Sequence, residues 1–248
     1  MLKIGDLVTR KKYGNDIIFK ITNIEENRVI LKGLNIRLYA DSYIDDLVLS
    51  AIREESEYEE IKIDKKKESE YFYISGTILH LDSDRDYLNQ CEQYYKKNKV
   101  NYSGYIFEEK EYQSKITNLI HKHNPDIIVI TGHDAYYKNK KYKNSLYFIN
   151  TVKEIRKNFN NEIIIISGAC QSDYYNLMKN GSTYASSPAH INIHALDPAI
   201  IASHIALSSN NKKIDLKSIL EKTKYKENGI GGIETNGKMK IGYPKLIE

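Results

Sequence analysis

A cysteine and a histidine, each set just beyond a strongly apolar run, are the residues of this 248-residue chain best placed to do chemistry. Cys170 follows Glu162-Ile163-Ile164-Ile165-Ile166-Ser167-Gly168-Ala169, and His133 follows Pro125-Asp126-Ile127-Ile128-Val129-Ile130-Thr131-Gly132. Consecutive β-branched apolar residues fit strands buried on both faces, the state of a parallel sheet. Small residues then let the backbone turn. Open α/β sheets carry their sites in the crevice beyond the carboxyl ends of the strands. A His and a Cys offered there form a candidate base and nucleophile. Taken singly, Cys170 reads as a buried structural cysteine and His133 as a residue that ends a strand. Their matched placement favours catalysis.

The pairing has a chemical reason. A thiolate attacks a peptide carbonyl, but free cysteine is mostly thiol near neutral pH, so a neighbouring imidazole must take the proton and later return it to the leaving amine. Cys170 lies 37 positions after His133, room for one loop, one helix and one strand. This order and spacing resemble the caspase-like cysteine peptidases, which carry His and then Ala-Cys after successive buried strands. The resemblance implies an oxyanion site of backbone amides, here those of Asp134 and Cys170, with Gly168 and Gln171 lining it. One departure is that those enzymes usually have Gly directly after the His, whereas here Gly132 precedes His133 and Asp134 follows it.

Other polar residues have two readings each. Asp82 and Asp84 end the strand Ile78-Leu79-His80-Leu81, on the rim that caspase-like peptidases use for the P1 side chain, so that resemblance implies a carboxylate suited to Lys or Arg at P1. Capping the next helix is an equal alternative. Asp134 either orients His133 or is a solvated carboxylate, and Gln171 and Ser172 either line the site or cap a helix. His190 and His194 are the alternatives to His133 as base. No convergent set of His, Cys and acidic ligands marks a metal, and no cofactor is expected.

The elements that must position these residues fall into an α/β pattern. Residues 1–50 read as short strands at Leu7-Val8, Ile17 to Ile21, Val29 to Leu31 and Ile36 to Tyr39, a small accessory β-barrel of SH3-like type. Residues 51–70 are dominated by Glu, Lys and Asp and read as a charged linker. From 71 to 248 strands and helices alternate. The first helix carries Tyr87, Leu88, Cys91, Tyr94 and Tyr95 inward, and a later one carries Leu146, Ile149, Val152 and Ile155 inward. Tyr184 to Ser187 reads as a strand, and Pro198 opens a helix. Asn236-Gly237 in the glycine-rich tail signals a hairpin before a strand at Met239 to Ile241.

Composition narrows the class. A charged share of 28% beside a hydrophobic share of 41% is that of a soluble globular protein. The net charge of +4 is spread along the chain, so nucleic acid is an unlikely partner and protein substrates are expected. The opening residues lack the basic-then-apolar plan of a signal peptide, and no apolar run reaches membrane-spanning length. With only two cysteines, Cys91 and Cys170, a disulfide framework is not indicated, and a cytoplasmic protein without a membrane partner is expected.

A closer resemblance spans almost the whole chain. Ile4-Gly5-Asp6-Leu7-Val8, Thr131-Gly132-His133-Asp134-Ala135-Tyr136, Ser167-Gly168-Ala169-Cys170-Gln171-Ser172, Asn192-Ile193-His194-Ala195-Leu196-Asp197-Pro198 and Gly231-Gly232-Ile233-Glu234-Thr235 resemble the motifs of the YabG family of sporulation-specific peptidases. The resemblance implies a cysteine peptidase that processes spore coat and cortex-related proteins in the sporulating cell, with a caspase-like, mostly parallel sheet flanked by helices. Two rivals differ in kind. A class I amidotransferase places its His and acid downstream of the Cys in a His-x-Glu element, which this chain lacks. A non-catalytic RNA- or protein-binding regulator would leave Cys170 an unreactive, packed thiol.

Overall fold

The fold follows from a computed structural model that describes residues 2–50, 61, 72–137, 141–159 and 161–243. The chain divides into two units, Met1–Glu59 and Glu60–Glu248. Of the expected charged linker at 51–70, all but Ile61 lies outside the described residues.

The first unit is a five-stranded antiparallel sheet. Its strands β1 (Leu7–Arg10), β2 (Phe19–Glu25), β3 (Arg28–Gly33), β4 (Tyr39–Tyr43) and β5 (Leu47–Leu49) lie in the order β4-β3-β2-β1-β5. Alternation sends Phe19 and Ile21 of β2 and Val29 and Leu31 of β3 inward, where they meet Val8 and Leu47. The strand expected from Ile36 to Tyr39 begins only at Tyr39. Ahead of it the Gly33 N–H donates to Leu38 O and the Leu38 N–H to Ile36 O, so Ile36 is buried in a tight turn. β5 closes the sheet against β1 and had no clear signal, being three residues long.

The second unit is built on a six-stranded sheet. Strands β7 (Ile78–Asp82), β8 (Tyr102–Ile106), β9 (Ile127–Ile130), β10 (Ile164–Ser167) and β11 (Tyr184–Ser186) run parallel, and β12 (Ile230–Gly232) is antiparallel to β11. The order is β12-β11-β10-β9-β7-β8. The remaining strands, β6 (Phe72–Ile74) and β13 (Lys240–Gly242), form a separate antiparallel pair. Asn236-Gly237 therefore turns no hairpin, because β12 and β13 belong to different sheets; the Gly237 N–H instead bonds Lys212 O.

Helices cover both faces, which is why β9 and β10 are apolar on every residue but the last serine. On one face α2 (Tyr112–His123), α3 (Ser145–Asn158) and α4 (Tyr174–Lys179) bury Tyr112, Ile116, Phe148, Val152, Ile155 and Leu177 against Leu79, Leu81, Ile128, Ile130 and Ile165. On the other α1 (Arg85–Lys97) packs on β7 and β8, and α5 (Asp197–Ala206) on β9, β10 and α1. The expected inward residues of α1 are all buried. On α3 the inward stripe runs through Ser145, Phe148, Ile149, Val152 and Ile155, and Leu146, expected inward, is 64% exposed because it falls off that stripe. Two short helices, α6 (Leu216–Leu220) and α7 (Lys226–Gly229), lead into β12.

Candidate active site

Register puts the candidate residues in one row. Leu81 of β7 is opposite Ile130 of β9, and Ile130 is opposite Ser167 of β10. Asp84, His133 and Cys170 each lie three residues beyond one of these partners. Three adjacent parallel strands thus release an acid, an imidazole and a thiol at the same edge of the sheet.

Asp84 serves two elements. Its carboxylate caps α1, with Oδ1 accepting from the Asp86 N–H at 3.0 Å and the Tyr87 N–H at 3.4 Å, while Oδ2 lies 3.2 Å from His133 Nε2. The imidazole also lies near the Tyr87 ring, 5.8 Å between centroids. Its backbone is held as firmly. Glu109 Oε1 accepts from the His133 N–H at 2.8 Å and from Ser83 Oγ at 2.6 Å. A Cβ on Gly132 would stand 2.7 Å from that carboxylate oxygen and 2.9 Å from Ser83 Oγ, so any side chain there would push Glu109 or Ser83 out of this arrangement.

Asp134 is buried and joins the His133 loop to the Cys170 loop. Oδ1 accepts from the Asn144 and Ala135 N–H groups at 2.8 and 2.9 Å. Oδ2 accepts from Ser145 Oγ and, at 2.9 Å, from Ser172 Oγ, which itself accepts from the Ala169 N–H at 2.8 Å. The carboxylate is a structural hub rather than a solvated group. Burial pushes its pKa up, and the donors from Ser145, Asn144, Ala135 and Ser172 pull against that rise.

Cys170 is 1% exposed. Its turn starts at Gly168, whose φ of +101° and contacts with Leu177, Ser172 and Ser186 exclude a side chain. The sulfur lies 3.3 Å from the Ile193 nitrogen, whose N–H it accepts, and 3.8 Å from Ile193 O. Gln171, in the left-handed region at φ +56°, donates its N–H to Ile191 O and its amide to Asn192 Oδ1 at 3.2 Å. Its Oε1 accepts from the Tyr136 N–H at 3.2 Å.

The other expected residues lie elsewhere. Asp82 is wholly buried, accepting from Thr131 Oγ1 at 2.9 Å and the Asp84 N–H at 3.0 Å. The Thr131 hydroxyl that donates to Asp82 lies 2.8 Å from His80 Nε2, and His80 Nδ1 lies 3.0 Å from Tyr95 OH. His190 stacks on Tyr136, centroids 5.3 Å apart. His194 is buried, with its N–H on Asp197 Oδ2 and its Nδ1 accepting from the Leu196 N–H. Asp197 is pushed up to about 7 by burial, against the pull of N–H donors from Lys224 and His194. Sequence reasoning missed Glu109, Ser145, Thr131 and Ile193. Thr131 sits inside the His133 motif and could have been noticed; Glu109 lies 24 residues away in an acidic run and carries no signal. Among the described residues no group of three His, Cys, Asp or Glu side chains could hold a metal.

A mostly parallel α/β sheet carries a His, a Cys and an acid on neighbouring strand ends at its carboxyl edge, and the comparisons with known proteins give the chain a class. The family model for YabG peptidase U57 matches residues 3–68 and 49–244, and the chain belongs to that family of peptidases. It is 37% identical, over 98% of both chains, to the sporulation-specific protease YabG of Bacillus subtilis (strain 168). No solved structure matches it. No helix among the described residues is long and apolar enough to cross a membrane.

Proposed function

We propose that this peptidase is a cysteine endopeptidase of caspase-like fold, with Cys170 as nucleophile and His133 as general base and acid. The observation that supports this most is the row of Asp84, His133 and Cys170, each three residues past a registered strand position. The carboxylate of Asp84 on Nε2 orients the ring and stabilises the imidazolium, so the thiol proton is taken up at Nδ1. The thiolate adds to the scissile carbonyl, and the N–H groups of Cys170 and Asp134, with Gly168 and Gln171 shaping the turn, receive the oxyanion. His133 then protonates the leaving amine, and water hydrolyses the thioester. Asp82 and Asp84 are both engaged inside the protein, so a basic P1 side chain would have to be met by other groups as well. The substrates are spore coat and cortex-related proteins of the sporulating cell, and the N-terminal sheet is an SH3-like accessory unit that recruits them.

The test is a gel assay on a basic, unfolded protein with wild type, Cys170→Ala and His133→Ala, each checked for folding by circular dichroism. Loss of cleavage in both folded variants is the expected result. Full activity in Cys170→Ala would overturn the mechanism, and a failure confined to Cys170→Ala would move the base away from His133.

A further inference from the structure

Under the reading of Cys170 as nucleophile, the sulfur has to meet a substrate, yet it is 1% exposed. One short piece of chain lies directly against it. Ile193 puts its N–H on the sulfur at 3.3 Å, and Ile191 O takes the N–H of Gln171, the residue directly after the thiol. Asn192, between them, takes the Gln171 amide at 3.2 Å. Three successive residues are therefore pinned over Cys170 through Gln171 and the sulfur itself.

The ends of this strap are also distinctive. Ser187 and His190 both have positive φ, at +67° and +53°, conformations that side-chain-bearing residues adopt only where their surroundings impose them. Between them the strap doubles back, with the His190 N–H on Ser187 O and Ser187 Oγ donating to Ile191 O. The exposed His190 ring packs beside Tyr136 and Tyr142, at 5.3 and 6.2 Å, two rings that also touch each other at 4.9 Å, and the Tyr136 N–H is the donor to Gln171 Oε1. At the far end Cys91 Sγ donates to Ala195 O at 3.4 Å, and Asp197 holds the His194 N–H. The firm anchors are at 194–197 on buried groups, at the buried Ile193, and at the buried Ser187, whose N–H bonds Gly229 O; between them, residues 188–192 are held by hydrogen bonds and one ring stack.

We propose that residues 187–193 form a strap that closes over Cys170, that Gln171 and Asn192 are the positioning residues that keep it shut, and that substrate gains the thiol only when it lifts. While shut, the strap puts the Ile193 N–H on the sulfur and Ile193 O 3.8 Å from it. The enzyme thus rests with a shielded nucleophile. Because only the open fraction can bind a peptide, the strap raises the apparent KM by the inverse of that fraction.

The experiment follows iodoacetamide alkylation of the intact chain by peptide mass spectrometry, reading Cys170 and the buried Cys91 separately. In Asn192→Ala the Cys170 rate is expected to rise about fivefold, the effect of one lost hydrogen bond on an opening equilibrium, while Cys91 stays at the wild-type rate. An unchanged Cys170 rate in a folded Asn192→Ala overturns the proposal, and so does a parallel rise at both cysteines, which would be general loosening. A second measurement needs no variant. Carbamidomethylated Cys170 does not fit beneath Ile193, so hydrogen exchange over residues 187–193 should rise at least fivefold in alkylated wild type; exchange unchanged by alkylation overturns the strap. Neither measurement requires cleavage. Failure of the strap is therefore distinct from failure of the catalytic reading, which Cys170→Ala tests by activity.

Discussion

Replacing Asp134 tests how the two halves of the site are held together. Alanine removes the acceptor for four donors, the N–H groups of Ala135 and Asn144 and the hydroxyls of Ser145 and Ser172. Hydrogen bonds to a charged acceptor contribute about 1.5–3 kcal/mol each, offset by the cost of burying the carboxylate, the same cost that raises its pKa. Breaking such a buried cluster from one side costs about 3–5 kcal/mol, a large share of the roughly 5–15 kcal/mol that holds a domain folded. Asparagine keeps Oδ1 for the two backbone donors and turns an NH2 toward hydroxyls that already accept from Asp173 N at 2.9 Å and Ala169 N at 2.8 Å. It should cost about 1–2 kcal/mol. The assay is urea unfolding followed by tyrosine fluorescence, since the chain has 21 Tyr and no Trp. The sign of the pH effect is fixed by the upward shift from 3.8: a carboxyl raised in the folded state contributes most below its unfolded pKa, and that contribution is lost as pH rises through the folded value. The advantage of wild type over Asp134→Asn is therefore larger at pH 4 than at pH 7. An Asp134→Ala protein within about 0.5 kcal/mol of wild type would refute the hub, because that is the range of a surface substitution.

Asp84→Asn keeps a good helix cap on α1 while removing the charge from His133, so thermal stability should stay near wild type and kcat/KM should fall at least tenfold; equal activity would remove Asp84 from the mechanism. Gly132→Ala forces a Cβ against Glu109 and Ser83 and should cost about 1–3 kcal/mol in unfolding free energy together with activity, whereas an unperturbed melting temperature would mean that Glu109 simply swings away. Asp197, at about 7, contributes stability that is present below its unfolded pKa of 3.8 and lost as pH climbs toward 7. From pH 5 to pH 8 wild type should lose about 2–3 kcal/mol relative to Asp197→Asn in denaturant titrations, and parallel curves would show that Asp197 ionises in the folded protein as readily as in the unfolded chain.

Much of this architecture is legible in the residues, for definite reasons. Ile127–Ile130 and Ile164–Ser167 are uniformly apolar up to the final serine because helices cover both faces, and a strand with one face in water would alternate instead. Helix α1 announces itself through Asp84 and the spacing of Tyr87, Leu88, Cys91, Tyr94 and Tyr95. What stays hidden depends on tertiary pairing. Gly231 and Gly232 lie in a strand only because β11 offers them an edge, and Asn236-Gly237 makes no hairpin because its flanking strands find different partners. The site divides in the same way. The placement of His133 and Cys170 after their strands could be read directly, whereas Glu109 on the His133 backbone comes from a distant loop whose composition says nothing of where it will lie, and the motif around Ile193 does not reveal its contact with the sulfur. Asp84 was visible as a carboxylate at a strand end, but its contact with Nε2 depends on the register of three strands.

The central claim is that Cys170 is the nucleophile and that His133 activates it. A peptidyl acyloxymethyl ketone with Lys at P1, followed by peptide mass spectrometry, tests this most directly. The expected result is one adduct on Cys170, none on Cys91, loss of peptidase activity in step with labelling, and labelling slowed at least a hundredfold in folded His133→Ala. Inactivation with Cys170 unmodified, or labelling of His133→Ala at the wild-type rate, would contradict it.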